Sequence, residues 1–149
     1  MGLAMPAIGY LLTLMFVSAV LFISAQTDQN LMLAQSEVEA AAGNMMVYRN
    51  AVASFASSNP TMVGSVPDAS LGLPTWYIKS PSLGNYVLAG RSFVYFAGRM
   101  PGLVDALVQR TESMNVGTNA GGVLYSPKAG NTGITLPAQI PVSSVVINQ

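Results

Sequence analysis

The chain has no cysteine and no histidine. Without cysteine there are no disulfides, thiolate metal sites or cysteine nucleophiles, and the redox compartment stays open. Without histidine it lacks the commonest general base and the commonest metal ligand at neutral pH. Charge is scarce too: Asp, Glu, Lys and Arg make up 8% of 149 residues, against about a quarter in ordinary soluble proteins. Six acids balance six bases, and no basic run or aromatic-basic interleaving is present, so nucleic acid is not expected as a partner. Hydrophobic residues reach 51%, which points to a membrane or a crowded assembly. The length suits one small domain with an appendage.

No charged side chain occurs from Met1 to Thr27; the first is Asp28. Ala7 to Ala25 is an apolar run that, as a helix, spans roughly the 30 Å hydrocarbon core. Its anchor residues are Ala7, Ile8, Leu11, Leu12, Leu14, Met15, Phe16, Val17, Val20, Leu21, Phe22 and Ile23. Pro6 suits the first helical turn, where its missing N–H costs nothing. Ile23-Ser24-Ala25 offers a cleavage site, but a signal peptide would carry a basic segment ahead of its apolar stretch, and none is present. An uncleaved anchor is therefore expected. Asp28, Glu37 and Glu39 follow the span, so the positive-inside rule places the amino terminus in the cytoplasm and the rest in the periplasm.

After the junction, Leu31, Ala34, Val38, Ala41, Met45, Tyr48, Val52 and Phe55 recur at spacings of 3 and 4, the seam of an amphipathic helix. The seam is expected to pack on the protein's own sheet or to meet a partner, including a second copy, with Leu31 to Val38 the part suited to a partner. Asn59-Pro60 ends the helix. No proline or paired glycine interrupts Ala7 to Ser58, which allows one continuous helix through anchor and seam, while Thr27 or Asp28 could equally serve as the N-cap of a separate helix. Gly43 costs about 1 kcal/mol there unless a close contact offsets it.

From Thr61 to Gly84, Gly, Pro and Ser indicate an irregular connection, with a short strand at Trp76-Tyr77-Ile78. Trp76 and Tyr77 could form a binding platform, but a lone Trp beside two prolines is more often a core plug, the favoured reading. Asn85 to Leu88, Ala89-Gly90 and Arg91 to Phe96 read as a hairpin. A short helix is expected from Met100-Pro101-Gly102 to Met114, with Val104, Leu107, Val108 and Met114 on or near its apolar face and Asp105, Gln109 and Glu112 outward. VGTNAGG reads as a turn, followed by strands at Val123 to Ser126, near Ile134 to Leu136 and at Ser143 to Ile147, with AGNTG between the first two. The predicted fold is α+β: an N-terminal transmembrane helix continuing into a long amphipathic helix, packed on a small antiparallel β-sheet with a second short helix. The domain reading is an anchor at 1–27 and one periplasmic domain at 28–149, with its long helix at 28–58 and its sheet-containing part at 61–149. A ferredoxin-like strand arrangement enters only by analogy.

Catalytic patterns are weak. Glu37 and Glu39, two apart on a helix, point in different directions and do not converge as a hydrolase pair. GTNAGG and GNTG lack the Lys-Ser/Thr of a P-loop. Lys79-Ser80 and Ser126-Pro127-Lys128 bring the two lysines near serines, without a flanking signature for acyl transfer. No catalytic residue, metal or cofactor is expected, and the chain is read as non-enzymatic.

The run TDQNLMLAQSEVEAAAGNMMVYRNAVASFASSNP, then LPTWYIKSP, NYVLAGRSFVYF, MPGLV and GNTGITLPAQIPVSSVV, resembles the PilM family of type IVb, plasmid thin-pilus biogenesis proteins. The resemblance spans essentially the whole chain. It implies an inner-membrane component of the pilus assembly machinery or pilus base, on conjugative plasmids or related elements, with the membrane and other pilus-assembly proteins or pilin as partners. The family supplies no catalytic motif. Two other readings stay open: a pilin-like structural subunit of a pilus or secretion pseudopilus, and an exported soluble binding domain with a cleaved signal peptide. Against the first, a prepilin shows a processing glycine with a glutamate five residues beyond it, whereas Gly2 is followed by Leu3, Ala4, Met5, Pro6 and Ala7.

Overall fold

The computed structural model describes residues 4–149, with side chains described for residues 9–19 and 31–149. One helix, α1 (Ala4–Ser58), runs through both the expected anchor and the seam. Its end is built locally: Asn59 donates its backbone N–H to the Phe55 carbonyl and its side-chain amide to the same oxygen, and Pro60 prevents continuation. The chain divides into two compact units, Met1–Glu37 and Val38–Gln149.

In the first unit every described side chain is exposed. The Thr13 hydroxyl donates to the Gly9 and Tyr10 carbonyls and the Ser18 hydroxyl to Leu14, which satisfies these hydroxyls within the helix. Among the described residues no helix is long and apolar enough to cross a membrane, so the expected crossing gains no support from the structure. The side chains of Ala7, Ile8, Val20, Leu21, Phe22 and Ile23, half of that expected anchor, lie outside the described set.

The second unit is a seven-stranded sheet with helices on one face. Its strands are β1 (Val63–Gly64), β2 (Leu83–Leu88), β3 (Arg91–Phe96), β4 (Val116–Ala120), β5 (Val123–Ser126), β6 (Gly130–Thr135) and β7 (Val145–Asn148). They lie in the order β1-β2-β3-β7-β4-β5-β6, and every pairing is antiparallel. The carboxy-terminal strand fills the centre between the two hairpin regions, so the arrangement is not ferredoxin-like. Side chains alternate between faces along each strand. Val94 and Phe96 of β3 and Val145 and Ile147 of β7 meet Met45, Tyr48 and Val52 of α1 and Leu103 and Leu107 of α2 (Leu103–Thr111). Phe93 and Val146 point the other way, to a smaller cluster with Leu124, Leu136 and Ile140. Buried Asn119 fastens the chain over that second face, donating to the Ile140 and Pro141 carbonyls and accepting from Gly122 N–H.

The β2–β3 hairpin forms where expected, with Leu88 paired to Arg91 across Ala89-Gly90. Both turn residues have positive φ, 49° and 80°, as a tight type I′ connection requires. Other expectations need correction. VGTNAGG is mostly strand β4, with only Gly121-Gly122 turning. Gly117 belongs in the strand because a Cβ there would lie 2.1 Å from the Tyr125 carbonyl oxygen, so its lack of a side chain lets β4 and β5 close. AGNTG is not the turn either: Pro127 to Ala129 turn, and β6 starts at Gly130. The last strand begins at Val145, two residues later than expected, since Ser143 and Ser144 bond back to Asn119 and Pro141. α2 stops at Thr111, where Glu112 takes a left-handed cap with φ 51°, so Met114 leaves the apolar face and is 60% exposed.

Trp76-Tyr77-Ile78 is the largest departure. No strand forms, because Tyr77 N–H closes a turn onto the Pro74 carbonyl. Trp76 is no core plug: it is 70% exposed and Ile78 83%.

Candidate functional site

Within the second unit the segment from Val66 to Ser80 forms a strap along α1, and hydrogen bonds between residues distant in sequence hold it there. At the buried end Asn85 of β2 gives its amide to the Val66 carbonyl at 2.9 Å and takes the Val66 N–H at 2.7 Å. The same amide donates to the Tyr48 hydroxyl at 2.6 Å, and that hydroxyl donates to Asp68 Oδ1 at 2.7 Å. Lys79 Nζ closes the chain on Asp68 at 3.0 Å and lies 5.1 Å from the Tyr48 ring centroid. At the outer end Tyr77 donates to Asn44 Oδ1 at 2.8 Å, and Asn44 Nδ2 returns a bond to the Ile78 carbonyl at 2.7 Å.

The electrostatics follow from this wiring. Burial raises the Tyr48 hydroxyl well above the ordinary phenol value, and donation to Asp68 raises it further. Burial likewise pushes Tyr77 up to about 12, helped by the nearby Tyr48 and Asp68. Burial works upward on Asp68 as well, but hydrogen bonds from Tyr48 and Lys79 and the Lys79 charge outweigh it, holding the carboxyl below its ordinary value. The network therefore consists of neutral phenols around one neutralised ion pair.

Above it lies a stacked aromatic ladder. The Tyr48 and Tyr77 rings are 6.2 Å apart and nearly parallel, and Trp76 meets Tyr77 edge-on at 6.4 Å, geometries that aromatic quadrupoles favour. Trp76, Tyr77 and Ile78 form one wall of an open groove of about 320 Å³. Its other wall is α1, contributing Ala40, Gly43, Asn44 and Val47. Gly43 keeps the helix surface low: a Cβ there would meet Arg110 Nη1 at 3.4 Å.

Of the seam residues, Met45, Tyr48 and Val52 are fully buried, and Val38, Ala41 and Phe55 are partly buried against the same core. Leu31 and Ala34 are exposed. Leu11, Leu12, Leu14, Met15, Phe16 and Val17 of the expected anchor are exposed, each by 55% or more. The sequence singled out Tyr48 only as apolar seam and missed Asn44, Asp68 and Asn85. The signal was the scarcity of charge: Asp68 and Lys79 flank Pro74 of the strap in a chain with few ionisable groups. Neither Ser-Lys pairing forms, since Lys79 is held by Asp68 and Lys128 Nζ donates to the Glu112 carbonyl. Glu37 is exposed, while Glu39 pairs with Arg110. Among the described residues no group of His, Cys, Asp and Glu could hold a metal ion.

Comparison with known proteins gives a consistent result. No curated protein matches. The crystal structure of a PilM protein from Pseudomonas aeruginosa 2192 is similar, at 38% identity and a TM-score of 0.51, over 76% of this chain and 95% of that one. That of a PilM protein from Escherichia coli B7A is 25% identical with a TM-score of 0.60, over 77% and 93%. The PilM family description matches residues 12–148, so the chain belongs to the PilM family.

Proposed function

We propose that this protein is a bitopic inner-membrane component of the type IVb pilus assembly machinery or pilus base, acting through protein contacts and not by catalysis. Its amino terminus lies in the cytoplasm and its sheet-containing unit in the periplasm. The observation that carries this is the uncovered apolar helix of a PilM-family chain: Tyr10, Leu11, Leu12, Leu14, Met15, Phe16 and Val17 are 55–77% exposed. Withdrawing each such side chain from water is worth about 1.5–3 kcal/mol, and patches of this extent mark surfaces that meet lipid or protein. Lipid is the proposed cover, because α1 satisfies its own backbone there. The second unit, closed around its own core, is then presented to other assembly proteins.

The test is the intact mass of the protein from its native host, with fractionation of the same cells. A full-length mass that stays with the inner membrane after a carbonate wash supports the assignment. A mass beginning at Gln26 in the soluble fraction would make it an exported domain, and recovery as a stoichiometric subunit of sheared pili would make it pilin-like. The non-catalytic role predicts that a Lys79→Ala, Lys128→Ala double variant still supports pilus assembly.

A further inference from the structure

The groove beside the strap has the features of a docking site and not of a leftover surface. A tryptophan and an isoleucine stand 70% and 83% exposed side by side, where isolated exposed apolar residues would need no explanation. They are also held in place. Trp76 rests on Tyr77, Tyr77 is stacked on buried Tyr48 and bonded to Asn44, and the Ile78 carbonyl is bonded to Asn44. A large aromatic fixed in advance loses little freedom on binding, which is the property of interface anchors.

Charge decides what the groove accepts. Among the described residues no charged one lines it, and two neighbouring ion pairs are closed: Lys79 on Asp68, and Arg110 on the Glu39 carboxylate and carbonyl. The polar group on its floor, Asn44, has its amide and its carbonyl oxygen engaged by the strap. A charged ligand would meet no charged side chain in the lining and would lose hydration. An apolar side chain would find Val47, Trp76 and Ile78 as walls, and Ala40 and Gly43 low enough to admit it. Area argues against a second copy as the occupant. Two side chains offer on the order of a few hundred Å², against roughly 800 Å² per partner in a stable interface.

We propose that this groove receives one or two uncharged, apolar side chains carried on a short segment of another pilus-assembly protein, with Trp76 and Ile78 as the anchors. The setting rests on the assembly role proposed above; the site rests on the groove. The experiment places a benzoyl-phenylalanine photoprobe at position 78 of the full-length protein in its native host, with the same probe at exposed Val142 as reference. The expected result is a crosslink to an uncharged apolar peptide of a different polypeptide, stronger than from position 142. Trp76→Ser should reduce its yield roughly 30-fold. A crosslink to a second copy, to lipid or to a charged segment overturns the proposal, as does a yield equal to that at position 142.

Complementation separates the two readings. A deletion strain that still makes pili removes the assembly role, and with it the proposed identity of the partner. A deletion strain without pili that is fully rescued by Trp76→Ser, Ile78→Ser removes the groove and leaves the role standing. The double variant should unfold at the wild-type midpoint, since both side chains are exposed, and should fail to restore piliation.

Discussion

Two parts of α1 share one spacing and have opposite environments. Leu31 and Ala34 of the seam are exposed, whereas Met45, Tyr48 and Val52 of the same seam are wholly buried. The helix does not change between them; what changes is whether another element faces it. From Val38 onward α2, β3 and β7 supply that element, with Val38 itself 3.9 Å from where a Cβ on Gly102 would stand. Periodicity therefore identifies which side of a helix can be buried, and only the later chain determines how far along it burial extends.

The sharpest way to break this comparison is to shorten one side chain in each part. Met45→Ala should cost about 2–5 kcal/mol of unfolding free energy, the range for emptying a packed core position. Leu31→Ala should stay within about 0.5 kcal/mol, as exposed positions do. Denaturant titration of the purified full chain measures both. Equal losses would mean that Leu31 is covered within the folded chain and that the contrast is false.

The strap extends the comparison to polar groups, because its network has a buried and an exposed end. Asn85→Ala strands the Val66 N–H and carbonyl away from water and should cost about 2–3 kcal/mol. Lys79→Ala removes a partly exposed ion pair and the cation's contact with the Tyr48 ring and should cost less than about 1 kcal/mol. The same denaturant titration checks both, and a Lys79 loss equal to that of Asn85 would show that the ion pair with Asp68 holds the strap as firmly as the buried amide.

What was legible in the sequence follows the same division between local and distant causes. The long helix, its end at Asn59-Pro60 and the hairpin across Ala89-Gly90 are set by neighbouring residues, and the sequence displays them. Trp76 was misread because aromatic and branched residues suit strands and cores generally, whereas its exposure depends on Tyr77 being taken by Tyr48 and Asn44 from α1. Gly117 was misread as a turn residue because the reason for it is the Tyr125 carbonyl of the next strand. The pairings of Asn85 with Val66 and Tyr48 join residues 19 and 37 positions apart, and no spacing rule reaches that far. Family resemblance came from the whole run of residues and was carried by none of the site residues alone.

A smaller effect compares the two glycines of α1. Nothing lies within 4 Å of a Cβ built on Gly9, while one on Gly43 meets Arg110. Gly9→Ala should therefore gain the full helix propensity of about 1 kcal/mol, read as increased helicity by circular dichroism. Gly43→Ala should gain somewhat less, because its methyl comes into van der Waals contact with the guanidinium that pairs with Glu39 and limits where that guanidinium can move. An equal gain at both positions would mean that Arg110 yields freely and that Gly43 is not kept for it.

The smallest effect is the dependence on pH, and its sign follows from the two kinds of group in the strap. Asp68 has a folded value below its ordinary one, so its contribution is complete above about pH 4–5 and is lost as pH falls through the lowered value. Tyr48 and Tyr77 are raised, so theirs is complete below about pH 10, the ordinary phenol value, and is lost as pH rises through the raised values. Stability should be flat between these limits. The acid loss from Asp68 should be well under about 1 kcal/mol, because its carboxylate is nearly half exposed and screened by water. Unfolding midpoints from pH 7 to pH 2.5 should fall slightly more for the wild type than for Asp68→Asn, which has no carboxylate to protonate. If the variant loses as much as the wild type, the acid limb belongs to other carboxylates, and the Asp68–Lys79 pair contributes nothing that titrates.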